Sequence, residues 1–89
     1  MERQRCVFDG SVQGVGFRYT VQNLALQYDV KGYVRNLPDG RVELVMEGPE
    51  GEMVGLVEDI KRRMDGFIEG VEINRSEGTG EFQRFCIKH

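Results

Sequence analysis

In residues 5–12, RCVFDGSV, the positions Cys6, Phe8, Gly10 and Val12 fall on one side of an extended chain, the two-residue period of a half-buried strand. Val7 is the one apolar interruption. After the bend QGVG, Phe17, Val21, Leu24, Ala25 and Tyr28 recur at helical spacing and predict an amphipathic helix. Residues 30–37 read as a second strand, interrupted by Gly32. The turn Pro38-Asp39-Gly40 reverses the chain, because proline presets φ and glycine accepts positive φ. Residues 41–48 then form a third strand, with Val42, Leu44 and Met46 facing one way. A second helix follows Gly48-Pro49, its stripe made of Met53, Leu56, Val57, Ile60 and Met64 and its stop at Gly66. Residues 67–77 predict a fourth strand with Val71 and Ile73 buried. A Gly78-Thr79-Gly80 turn and a last strand over 81–88 complete the chain.

This order is the split βαβ, or ferredoxin-like, arrangement of the α+β class, βαββαβ plus a short terminal strand. One apolar stripe per helix predicts both helices packed on one face of a single antiparallel sheet. The other face is left to water, a partner or a substrate. No linker, repeat or low-complexity segment divides residues 1–89, so one domain is expected.

Charge narrows the partners. Twelve basic residues face fifteen acidic ones, a net charge of −3. Nucleic-acid binders carry a basic stripe for phosphate contacts, and the only basic run here, Lys61 to Arg63, is flanked by Asp59 and Asp65 as on a solvated helix face. No nucleic-acid partner is expected. There is no apolar run approaching the ~20 residues of a bilayer span, and the opening MERQRC is polar. The expectation is a cytoplasmic chain with no membrane partner. Cys6 and Cys86 form no CxxC pair, and His89 is the only histidine, which leaves little material for a disulfide framework, a Cys/His metal site or a Ser-His-Asp triad. Cys6 reads as an inert buried thiol. Glu50 and Glu52 read as complements to the second helix's dipole rather than, with Glu47, as metal ligands. His89 receives no role.

Against that background the bend VQGVGFR carries chemistry. From Gly10 to Tyr28 the only group charged at neutral pH is Arg18. Gly14 and Gly16 let the backbone adopt positive φ, and successive N–H groups in such a bend converge into an anion-binding nest. The helix starts near Phe17, so its unpaired N–H groups and positive dipole end point the same way. A cation in the first turn opposes that dipole when the bend is empty and is favourable when a dianion fills it. Two readings of the bend alone stay open: a tight turn whose arginine reaches solvent, or a phosphoryl cradle. It is neither a Walker A loop nor the dinucleotide fingerprint. Asn36, just before the hairpin turn, is commonplace as a local cap, yet its carboxamide can also orient a water.

The segments GSVQGVGFR (10–18) and GYVRNLPDGRVELVMEG (32–48) resemble the two signature segments of the acylphosphatases, in order and at a matching spacing. The resemblance extends over essentially the whole chain, including the closing FQRFCI. It implies hydrolysis of the carboxyl–phosphate bond of a small-molecule acyl phosphate, giving a carboxylate and inorganic phosphate, with no metal and no organic cofactor. By position it implies Arg18 as the phosphate-binding residue. Gln13, Gly14, Val15, Gly16 and Phe17 become the backbone cradle, and Asn36 the residue that orients the attacking water. Two positions depart from the family pattern: Leu37 stands where many members have a small hydroxyl residue, and Tyr33 where tryptophan is frequent.

Few catalytic groups suffice for this reaction. The leaving carboxylate has a conjugate acid of pKa about 4 and departs without protonation. Phosphoryl transfer then depends on positioning and charge stabilisation. The competing expectation is a non-catalytic phosphate- or ligand-binding module of the same fold, against which Asn36 stands. Acylphosphatase-like domains also occur in carbamoyl-transfer maturation proteins, whose chains are far longer. An RNA-binding sheet of the same strand order would need an RNP1-like pattern and a basic surface, and has neither. A monomer is expected.

Overall fold

Along residues 1–89 the computed structural model has β1 (Glu2–Gly10), α1 (Phe17–Ala25), β2 (Lys31–Asn36), β3 (Val42–Gly48), α2 (Glu50–Arg63), β4 (Ile68–Glu77) and β5 (Phe85–Ile87). The strands form one sheet in the order β4-β1-β3-β2-β5. β3 lies antiparallel between β1 and β2, so β1 and β2 point the same way with α1 as their crossover. Every neighbouring pair among β4, β1, β3 and β2 is antiparallel, as expected of the sheet. β5 instead joins β2 in parallel, which makes the sheet mixed.

Both helices pack on one face. Phe17, Val21, Leu24 and Ala25 of α1 and Met53, Leu56, Val57 and Ile60 of α2 are buried, each helix along the predicted stripe. They meet Cys6, Phe8, Val34, Val42, Leu44 and Met46 from the sheet in one core. Truncating a fully buried member such as Leu56 or Ile60 to alanine costs about 2–5 kcal/mol through lost transfer energy and the cavity left behind. Burial also pushes the Cys6 thiol up to about 12, the inert state expected of it.

The opposite face departs from expectation. Rather than being left to water, a partner or a substrate, it holds the buried side chains Val7, Val45, Glu43 and Glu47. Residues 78–84, expected as a turn over 78–80 and strand from 81 onward, cross this face before the short β5 begins at Phe85. Phe82 meets the Tyr33 ring edge-on at 5.9 Å and lies 5.0 Å from the Arg3 guanidinium. Each buried acid sits among donors. Glu43 accepts from Arg5 Nε at 2.5 Å and Arg35 Nε at 2.6 Å. Glu47 accepts from Arg3 Nε (2.8 Å), Thr79 N (2.9 Å), Thr79 Oγ1 (3.0 Å) and Gly80 N (2.8 Å). A buried charge is tolerated only with such partners.

Ile73 is the second departure. It pairs with Cys6 but is 43% exposed, because β4 is an edge strand with no strand beyond it.

Candidate active site

Two core residues hold the glycine bend by its ends. Val12 is fully buried, and Phe17 packs its ring 5.2 Å from that of Phe8. Between them Gly14 and Gly16 adopt φ of 78° and 76°, the left-handed region that side-chain-bearing residues rarely enter. A Cβ at either glycine would meet nothing within 4 Å, so the bend faces open space.

Its donors are unspent. No backbone N–H from Val12 to Gly16 donates to a backbone carbonyl, and the first helical bond is Thr20 N to Gly16 O at 2.9 Å. α1 has Gly16 as its N-cap, no side-chain cap and no acid in its first turn. The consequence is a run of N–H groups without backbone acceptors at the positive end of a helix.

Arg18, half-buried in that first turn, belongs to none of the ion pairs of the fold. Asn36 ends β2 opposite Val42. Both line one cleft of about 370 Å³ with Gly14, Gly16, Phe17 and Tyr19. Of the other expected cradle residues, Val15 is 38% exposed beside the cleft, and Gln13 has its side chain elsewhere. The Gln13 amide donates to Leu37 O at 2.8 Å and to Arg41 O at 2.9 Å. It thereby fastens the bend to the β2–β3 turn that carries Asn36. That turn is closed by Leu37 N to Arg41 O at 2.8 Å, and Asp39 accepts from Arg41 N at 3.1 Å.

A larger cavity, about 470 Å³, opens at the other end of the sheet, and none of its lining residues comes from the bend. No three His, Cys, Asp or Glu side chains converge on a possible metal site. Glu47, Glu50 and Glu52 diverge: Glu50 pairs with Arg75 at 3.0 Å, and Glu52 accepts from Asp29 N at 2.8 Å.

Similarity to known proteins points the same way as this geometry. The acylphosphatase family model matches residues 4–87. The chain is 49% identical over 88 residues to the acylphosphatase of Bacillus subtilis strain 168, covering 98% of this chain and 97% of that one. The chain belongs to the acylphosphatase family.

Family membership makes it a hydrolase rather than a bare phosphate-binding module. A crystal structure of acylphosphatase from Bacillus subtilis superposes with a TM-score of 0.89 and 36% identity, covering all of both chains. The HypF protein of T. kodakarensis superposes with a TM-score of 0.85 and 31% identity, and there the match spans 12% of the longer chain. Within this acylphosphatase fold, sequence reasoning missed Ile87 and His89, which complete the cleft, and the fastening role of Gln13. No local signal marks any of them. The Gln13 acceptors lie 24 and 28 residues downstream, and His89 reaches Arg18 across 71 residues.

Proposed function

We propose that this acylphosphatase-family chain hydrolyses the carboxyl–phosphate bond of a small acyl phosphate with Arg18 and Asn36 as its catalytic residues. The phosphoryl group sits in the bend, receiving N–H donors from residues 13–17 and a bidentate contact from Arg18. Asn36 offers its carboxamide to the attacking water and holds it in line with the departing carboxylate. The amide does not take the proton as a general base; the water's proton passes to an oxygen of the phosphoryl group it attacks, and the products are the carboxylate and inorganic phosphate. As negative charge shifts onto the acyl oxygen, the leaving group departs as a stable carboxylate, so neither a strong acid nor a metal ion is called upon.

The observation that supports this reading is the pairing of unspent N–H donors and an uncompensated arginine with Asn36 in one cleft. We take the protein to act as a cytoplasmic monomer. Two features favour this: both cysteines are free, and the exposed edge strand β4 carries Glu69, Glu72, Arg75 and Glu77, charges that discourage edge-to-edge pairing.

The test is hydrolysis of benzoyl phosphate in EDTA by the wild type, Arg18→Ala and Asn36→Ala. Expected are turnover by the wild type, loss in both variants, and inorganic phosphate binding retained by Asn36→Ala alone. Phosphate binding by the wild type without turnover would remove the proposal.

A further inference from the structure

The cleft contains one group that the mechanism above does not use. His89 Nδ1 lies 3.5 Å from Arg18 Nη1, and the imidazole lines the same cleft as the bend and Asn36. A guanidinium has donors only, so in this contact Nδ1 can serve Arg18 only as an acceptor.

The charges around this ring are few. α1 contributes Arg18 and Tyr19, β2 contributes the uncharged Asn36, and Ile87 stands beside it from β5. No Asp or Glu side chain lines the cleft. The neighbouring Lys88 is directed away, its Nζ lying 4.5 Å from the centre of the Tyr33 ring. Among side chains with ordinary titration behaviour, only an imidazole changes charge between about pH 5 and 8. His89 is the one imidazole on the wall of the cleft.

We propose that His89 is a second, proton-dependent cation of the phosphate cradle. A tetrahedral dianion in the bend would stand within reach of both groups and offer each an acceptor. Arg18 turns its donors onto the anion, and the protonated imidazole gives the anion a further charge-assisted hydrogen bond. Proton and dianion then each strengthen the binding of the other, as linkage requires. In the turnover cycle the same proton holds phosphate more firmly at acid pH and releases it more readily as pH rises. The inference rests on the cradle reading given under Proposed function.

Sulfate is the suitable probe, since it stays a dianion throughout this range and cannot be hydrolysed. Calorimetric titration of the wild type should give binding about tenfold tighter at about pH 5.5 than at about pH 8. His89→Gln should bind with a pH dependence under about twofold, and His89→Lys should hold the tighter affinity at both pH values. His89 is exposed, so neither substitution disturbs the core. A flat wild type, or a slope that survives in His89→Gln, overturns the inference. The cradle reading is judged separately: flat binding that Arg18→Ala abolishes leaves it standing, whereas no sulfate binding at any pH removes both.

Discussion

Two places in this molecule are built from the same parts. At one, the Glu47 carboxylate accepts from the N–H groups of Thr79 and Gly80 and from Arg3, with Gly80 at φ 74°. At the other, the N–H groups of the bend take no backbone acceptor, Gly14 and Gly16 have φ 78° and 76°, and Arg18 lines a cleft with no Asp or Glu side chain. The first is an anion site filled by the protein itself. The second, on the function proposed above, takes its anion from the substrate. The helices repeat the contrast: α2 carries Glu50 and Glu52 in its first turn and Lys61, Arg62 and Arg63 in its last, while α1 has Arg18 and no acid in its first turn and no base in its last. What separates a structural site from a functional one here is whether the chain supplies the counter-charge.

The largest effect should come from giving the bend its own anion. Arg18→Glu puts a carboxylate where Glu47 stands in the other site. It should lower kcat/KM for benzoyl phosphate by about 10³-fold, or about 4 kcal/mol. The acid now suits the helix dipole, so urea unfolding should show no loss of stability and a gain of up to about 1 kcal/mol. A variant that loses activity and also unfolds more easily would show that Arg18 has a structural partner and would break the comparison.

Emptying the other site should do the reverse. Glu47→Gln leaves buried donors short of their acceptor charge and should destabilise the fold by about 2–3 kcal/mol, measured as a shift in the urea midpoint. Hydrolysis by the folded variant should stay within about twofold of the wild type, since Glu47 does not line the bend's cleft.

The pH dependence of stability follows from the same residue. Burial raises the Glu47 pKa, but the N–H groups of Thr79 and Gly80, Arg3 and the Thr79 hydroxyl outweigh it and bring it from 4.5 to about 2. The folded value lies below the unfolded one, so this stabilisation is complete above about pH 4.5 and is lost as pH falls toward about 2. Thermal unfolding should therefore show wild-type Tm falling through that window more steeply than Tm of Glu47→Gln. Parallel slopes would mean that the carboxylate is not held by these donors.

The smallest effect tests how the bend is aligned. Gln13→Ala removes both bonds to the β2–β3 turn and should lower kcat by about tenfold, because Asn36 and the bend lose their fixed relation. Sulfate affinity should change by less than about threefold, since the N–H groups and Arg18 remain. Equal losses in kcat and in affinity would place Gln13 in the cradle itself.

Much of this was legible in one dimension. The stripes from Phe17 to Ala25 and from Met53 to Ile60 are the helix faces that pack on the core, because helical periodicity is a local property of the chain. The bend's glycines and lone arginine were legible for the same reason: positive φ and a helix N-terminus are settled within a few residues. The expectation failed where a residue's neighbours come from elsewhere. Ile73 has the strand pattern of a buried residue, and its exposure follows only from β4 being an edge. Glu43 and Glu47 look like surface acids until arginines from other strands and the 78–84 crossing surround them.

The sequence by itself determined the order of the elements, the two helix faces, the bend that exposes N–H donors, and the resemblance to one enzyme family. Tertiary structure alone decided that Gln13 fastens the bend to Asn36, that His89 stands against Arg18, and that the second face of the sheet is closed by buried ion pairs. The physical reason is range. Backbone conformation and hydrophobic period are set by neighbours along the chain, whereas a donor's acceptor and a charge's counter-charge are set by whichever segments the sheet brings together.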